Sequence, residues 1–251
     1  MQIPIVKHPF SKIGKKIESA VRKASLEFLL LDEDKVAVAL SGGKDSLTLL
    51  YMLKALSGRG FRKFQIFAIF VESEFSCGAG VSKTYLKEIC DSLDVKFISL
   101  NFSKKDLWKT KKFDCYICSR IRRKLIFEKA KELNIKTIAF GHHRDDANQT
   151  LIMNLLHKAE FSTILPKLEM KKYFITIIRP LIFIEEIDII SFAKNYGFLR
   201  SVCQCPHGST SMRAKSEEII SDLEKNFQNS RKNLFKASLL YGSKKAQEKI
   251  F

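Results

Sequence analysis

Residues 35–46 read KVAVALSGGKDS, and LTLLYMLKAL follows directly as residues 47–56. Val36, Val38 and Leu40 alternate with Ala37 and Ala39, and none of the five is charged. So short and apolar a run predicts a strand buried on both faces of a sheet. LTLLYMLKAL predicts a helix. Between them lie Ser41, Gly42, Gly43, Lys44, Asp45 and Ser46. A strand, a glycine turn and a helix in that order aim free backbone N–H groups and a positive helix end at an anion. Gly42 and Gly43 permit the sharp turn and a close approach to phosphate. The two serines add hydroxyl donors, and Lys44 adds a point charge. An ordinary strand–helix turn would need the glycines alone. The Walker pattern G-x-x-x-x-G-K-S/T cannot be written over this stretch.

The loop resembles the S-G-G-x-D-S pyrophosphate loop of the ATP pyrophosphatase family, in which ATP is split to AMP and pyrophosphate. That resemblance implies ATP binding by Ser41, Gly42, Gly43, Lys44, Asp45 and Ser46. It also implies catalytic roles for Lys44 and Asp45, with Asp45 acting through Mg²⁺.

The chain has 251 residues, 45% of them hydrophobic, enough for one large or two small domains with a proper core. Its 44 Lys and Arg against 27 Asp and Glu give a net charge of +17. That excess predicts a polyanionic partner, nucleic acid first and an anionic membrane surface second. The opening residues MQIPIVKHPFSKIGKK lack the apolar run of a secretory signal, and no stretch is long enough to span a membrane. The expected location is therefore cytoplasmic. The six cysteines are Cys77, Cys90, Cys115, Cys118, Cys203 and Cys205. Without an export signal, their close pairs suggest metal or redox chemistry before structural disulfides.

Residues 11–30 have the spacing of a helix, with Ile13, Ile17, Ala20, Val21, Ala24 and Phe28 on one face. FQIFAIFV (64–71), VKFISL (95–100) and TIAF (137–140) read as further strands, with TYLKEICDSL as a helix and 72–81 as a loop. Cys90 falls on a helix face, where it packs; Cys77, in the loop, has no assigned role. Strands alternating with helices predict an α/β fold with a doubly wound, mostly parallel sheet, which binds ligands beyond the carboxyl ends of its strands. The expected organisation is a helical lead-in (1–34), an ATP-binding catalytic domain with the cysteines (35–210) and a basic helical tail (211–251).

Strand four is followed by Gly141, His142, His143, Arg144, Asp145 and Asp146, leading into ANQTLIMNLLHK. Acids here could hold Mg²⁺ through water, while the histidines and Arg144 could contact phosphate. A plain alternative is a charged helix start with Asp145 or Asp146 as N-cap, which leaves two adjacent histidines unexplained. The segment matches the G-H-H-x-D-D run of the tRNA-modifying branch of the pyrophosphatases. The match implies ATP contacts from Gly141, His142 and Asp145, and tRNA contacts from His143 and Arg144.

Residues 104–124, KKDLWKTKKFDCYICSRIRRK, carry nine Lys or Arg and two acids, a local excess of 9 − 2 = +7. Cys115 and Cys118 stand inside this charge at the start of a predicted helix, and both features favour the thiolate. Trp108, Phe113 and Tyr116 are interleaved with the basic residues, as in surfaces that stack bases. Arg120, Arg122 and Arg123 are the candidate tRNA contacts. A C-x-x-C alone fits a redox couple, half of a zinc site or an iron–sulfur edge. The second cysteine group is Cys203-Gln204-Cys205-Pro206. C-x-C is an uncommon half of a zinc knuckle, and three cysteines can hold a 4Fe-4S cluster with one iron open.

SGGKDS, C-x-x-C-S-R, GHHRDD, then I-R-P-L before a helix and a further cysteine, in this order from about residue 12 to about 210, resemble the tRNA 2-thiocytidine synthetases. Membership implies ATP, Mg²⁺, a 4Fe-4S cluster on Cys115, Cys118 and a third cysteine, a tRNA substrate, a sulfur donor such as a cysteine desulfurase system, and a homodimer. The activity implied is replacement of a cytidine O2 in the anticodon loop by sulfur. The third ligand stays open: ungapped counting from Arg179-Pro180-Leu181 selects Cys203, whereas the Cys-Pro junction of a related uridine-thiolating branch selects Cys205. The same departure leaves uridine as an alternative target. Lysidine synthase, which has no role for the paired cysteines, and a zinc-stapled RNA-binding module are the other readings.

Overall fold

The computed structural model describes residues 3–73, 82–102, 115–198 and 212–242. Within them, six strands form one sheet: β1 (Lys35–Leu40), β2 (Gln65–Ser73), β3 (Lys96–Phe102), β4 (Thr137–Ala139), β5 (Lys167–Met170) and β6 (Ile175–Ile178). Their spatial order is β3-β2-β1-β4-β6-β5, parallel throughout except for β5, which runs antiparallel at the edge. The four expected strands are present. The hairpin of β5 and β6, closed by a 3-10 turn over Lys171–Tyr173, was not expected.

β1 lies inside the sheet, between β2 and β4. Val36, Val38 and Leu40 face one hydrophobic core and Ala37 faces the other. The uncharged alternation of residues 36–40 follows from this, because past exposed Lys35 the strand meets a covered face on each side. The first core is lined by α1 (Lys12–Glu27), α2 (Lys44–Leu56), α3 (Lys83–Ser92) and α6 (Glu186–Asn195), and the second by α4 (Cys115–Glu132). Helices thus cover both faces, as in a doubly wound sheet.

On α1, Ile17, Val21 and Ala24 are buried, and Ile13, Ala20 and Phe28 pack around them. Ser11 caps α1 by accepting the Gly14 N–H. Cys90 is buried on α3, and burial pushes its thiol up to about 12, which leaves it protonated and inert. Cys77 lies outside the described residues.

The remaining helices are α5 (Arg144–Lys158), α7 (Met212–Asn226) and α8 (Ser230–Tyr241). The tail helices fold back onto α5: Phe235 of α8 is buried in the first core and meets the Phe183 ring edge-on at 6.0 Å. Gln149 of α5 donates to Glu217 of α7 at 3.0 Å. Among the described residues, no helix is long and apolar enough to cross a membrane.

Candidate active site

Sheet order reverses between β1 and β4, since β2 and β3 lie on one side and β6 and β5 on the other. The loops leaving β1 and β4 therefore meet at the carboxyl edge, where such sheets bind ligands.

The loop after β1 is braced by its own serines. Ser46 Oγ donates to Gly43 O at 3.0 Å and accepts the Ser41 N–H at 3.2 Å. The Ser41 hydroxyl donates to Ser46 Oγ at 3.1 Å. Ser46 is buried and shapes the loop from within, whereas Ser41 is exposed. Gly42 has φ 82, a left-handed conformation that favours glycine. Gly43 is the N-cap of α2, and no side chain caps that helix. Its first-turn N–H groups remain available to an anion, which is the feature a phosphate site requires.

Lys44 points at two carboxylates. Its Nζ lies 3.0 Å from Asp45 Oδ1 and 2.8 Å from Glu186 Oε1. Burial would lower the Lys44 pKa, but Asp45 and Glu186 together raise it, so the ammonium persists. Asp45 is pushed up by burial, against the opposing charges of Lys44 and His143.

The loop after β4 closes against this one. A methyl group on Gly141 would stand 3.0 Å from the Asp45 carbonyl carbon and 3.1 Å from its oxygen and from Ser46 N. A Cβ at that distance would force the two loops slightly apart. His142 stacks on Phe140, with centroids 5.7 Å apart, and its Nδ1 accepts from Arg179 Nε at 3.2 Å. Burial and the Arg179 charge push its pKa down, so the ring is neutral; Arg213 and Arg123 act in the same direction. His143 is 4% exposed and ringed by carboxylates: Asp145 at 3.6 Å, Asp146 at 3.5 Å and Asp45 at 3.8 Å. Burial opposes its charge, yet these acids raise its pKa.

The plain N-cap alternative for this segment changes. The N-cap of α5 is His143, not an aspartate, and Asp146, three residues on, accepts the His143 N–H at 3.1 Å. His143 is also turned inward among acids. Arg144 is drawn inward as well: its N–H donates to Ile184 O at 2.9 Å and its guanidinium pairs with Glu185 at 2.6 Å.

Three further residues join from distant sequence. Asp145 Oδ2 accepts the Glu186 N–H at 2.7 Å, and its Oδ1 meets Arg231 Nη1 at 3.2 Å. Burial opposes its charge, but His143, the Glu186 N–H and Arg231 prevail and bring it down to about 2. Asp146 Oδ1 pairs with Arg213 at 3.2 Å. Glu186, Arg213 and Arg231 have no sequence-local signal. Arg179 belongs to the I-R-P-L run, whose residues carry no predicted role.

α4 begins at Cys115, and Cys118 follows one turn later, 4% exposed in the second core. Arg120 is exposed and lies over the Tyr116 ring, 5.5 Å from its centroid. Arg123 is exposed and folds back on Ser119. Arg122 is half-buried. Cys203 and Cys205 lie outside the described residues, within which no group of three His, Cys, Asp or Glu is placed to hold a metal. Cys118 supplies a soft thiol donor in apolar surroundings, which fits iron–sulfur ligation in kind. The uncapped start of α2 fits the phosphates of ATP.

The sequence pattern of the PP-loop domain matches residues 11–199. The chain is 32% identical over 215 residues to tRNA-cytidine(32) 2-sulfurtransferase of Geobacter sulfurreducens, covering 84% of each protein. It is 33% identical over 232 residues to the protein of that name from Dechloromonas aromatica, covering 90% of this chain and 80% of the relative. In structure it resembles the U34-tRNA thiolase NcsA from Methanococcus maripaludis, solved with its 4Fe-4S cluster. That match has a TM-score of 0.72 at 24% identity and covers 92% of this chain and 80% of the other. With the glycine loop after β1 and GHHRDD after β4 joined at the switch point, the chain belongs to the PP-loop family and, within it, to the tRNA-cytidine(32) 2-sulfurtransferases.

Proposed function

We propose that this chain uses ATP to replace the O2 of a tRNA cytidine with sulfur. The observation that carries the reading is the uncapped start of α2, with Lys44 poised beside it on Asp45 and Glu186. The first-turn N–H groups and Lys44 bind the ATP phosphates. As Lys44 turns to phosphate it leaves Asp45 and Glu186, two carboxylates suited to Mg²⁺, which would neutralise charge on the departing pyrophosphate. The base O2 attacks the α-phosphorus, and pyrophosphate leaves toward the loop. Sulfide attack at C2 then breaks the C–O bond and expels AMP. A 4Fe-4S cluster held by Cys115, Cys118 and either Cys205 or Cys203 supplies, when bound, an open iron that delivers sulfide.

The protein's own residues prepare both ends of this reaction. His142, neutral and fixed by Arg179, presents no competing positive charge to the nucleotide. Exposed Arg120 and Arg123 on α4 offer charge to the RNA backbone, and the net charge of +17 favours that encounter. A cysteine desulfurase system, with a thiol reductant supplying the two electrons that turn its persulfide sulfur into sulfide, is the matching sulfur donor, and the setting is a cytoplasmic homodimer.

The test is anaerobic reconstitution with iron and sulfide, followed by incubation with ATP, Mg²⁺ and tRNA. Nucleoside mass spectrometry should show 2-thiocytidine, with one pyrophosphate released per sulfur inserted. Appearance of 2-thiouridine would move the target base, and lysidine formation with added lysine would replace the reading.

A further inference from the structure

Arg231 stands 86 residues beyond Asp145 in the chain, at the start of α8. Its guanidinium divides between two directions. Within the tail, Nη2 donates to Glu217 Oε1 at 2.6 Å and to Ser221 Oγ at 3.1 Å, and Nε donates to Glu224 Oε2 at 2.5 Å. Toward the sheet, Nη1 reaches Asp145 Oδ1 at 3.2 Å. Its backbone carbonyl accepts from Asn148 Nδ2 at 2.9 Å, which fixes α8 on α5.

Asp145 passes this contact onward. Its second oxygen accepts the Glu186 N–H at 2.7 Å. Glu185, the N-cap of α6, makes no side-chain cap, so Asp145 caps that helix from outside. Glu186 in turn holds Lys44 at 2.8 Å. Arg231, Asp145, Glu186 and Lys44 form one continuous path from the tail to the phosphate loop, and an ionised group takes part in every link.

We propose that Arg231 is a positioning residue of the nucleotide site: through Asp145 it fixes the start of α6, and so sets where Glu186 stands beside the loop, holding Lys44 before ATP binds and turned to Mg²⁺ once Lys44 moves to phosphate. The proposal rests on reading residues 41–46 as the ATP loop. Arg231 already has Glu217, Glu224 and Ser221 within the tail, so pinning α8 to α7 does not require Asp145. The link to Asp145 instead holds, at 3.2 Å, the carboxylate whose other oxygen caps α6. Arg213, at the start of α7, holds the neighbouring Asp146, so both aspartates of GHHRDD take their guanidinium partners from the tail.

The test uses the full-length protein and two readouts, ATP·Mg²⁺ binding by calorimetry and tRNA-dependent pyrophosphate release. Arg231→Met should weaken ATP binding and raise the KM for ATP about tenfold, leaving the KM for tRNA unchanged. Arg231→Lys should recover part of the loss. Combined with Glu186→Gln, Arg231→Met should add little, because the two residues act through one path. ATP affinity within about twofold of wild type in Arg231→Met, or losses that multiply in the double variant, would overturn the proposal. If Arg231→Met does not fold, Arg231→Lys decides alone: weakened ATP binding supports the proposal and wild-type affinity overturns it. A wild-type protein that bound no ATP would strike the ATP-loop reading itself, a separate outcome.

Discussion

Gly141 and Asp45, 96 positions apart, approach so closely that a methyl on the glycine would press on the aspartate's carbonyl carbon at 3.0 Å. The obstacle is backbone, which cannot swing aside as a side chain would. Because β1 and β4 are hydrogen-bonded neighbours, moving one loop off the other must also disturb the strands beneath.

Gly141→Ala should therefore cost about 1–3 kcal/mol, as overpacking does. Thermal unfolding should shift down by several degrees, and ATP binding should weaken with it. Unchanged melting and unchanged ATP affinity would show that the two loops part without cost.

Lys44→Ala should lower pyrophosphate release by about two orders of magnitude, the scale seen when a donor to developing charge is removed. Binding of tRNA should persist, since Lys44 faces Asp45 and Glu186 and is largely withdrawn from the surface. Normal ATP turnover in this variant would reject the loop assignment.

Asp145 gives a pH dependence with a definite sign. Its folded pKa of about 2 lies below the ordinary value of 3.8. A depressed carboxylate stabilises the fold above the unfolded pKa and loses that contribution as pH falls through the folded one. The contribution is on the order of 2 kcal/mol near neutrality. Asp145→Asn should be less stable than wild type in urea at pH 7, and the gap should narrow steadily below pH 3.8 toward 2. A gap that does not vary with pH would mean that the charge of Asp145 contributes nothing.

Charge reversal at Arg120 and Arg123 should weaken tRNA binding and flatten its salt dependence, by roughly 0.7–0.9 in log–log slope for each phosphate no longer neutralised. These two are chosen because they are exposed on α4, whereas Arg122 is half-buried. An unaltered slope in filter binding across salt concentrations would remove this face from the docking surface.

Cys118→Ala should abolish the visible absorbance and iron content of anaerobically purified protein. Of the second pair, Cys205→Ala should do the same while Cys203→Ala retains the cluster, as the Cys-Pro junction shared with the uridine-thiolating branch implies. The reverse result would make Cys203 the third ligand. Iron kept in both single variants would exclude the pair.

The central strand, its loop and the GHHRDD turn were legible because local pattern alone determines them: an uncharged alternation, two glycines, a strand end. The hairpin was missed because KLEM and ITII are four residues each, too short to show a period, and gain their order from pairing with each other and with β4. The residues that complete the site escaped for a different reason. Nothing near Arg231 in sequence distinguishes it from the other tail cations; only folding brings it to Asp145. The plain alternative of an aspartate N-cap follows the general preference for Asp at that position, whereas here the N3 aspartate accepts the N–H of the cap residue His143.

A ribosome makes this chain from the amino end, and that direction sets the order in which the site matures. All six strands have emerged by Ile178, but the guanidinium partners of Asp145 and Asp146 belong to residues 231 and 213. Until those residues appear, the sheet can assemble around two carboxylates that lack their counter-charges. If Arg231 positions the nucleotide site as proposed, that site matures late, when α8 docks, and a chain stopped short of residue 231 keeps its sheet but lacks both Phe235 in the core and Arg231 at Asp145.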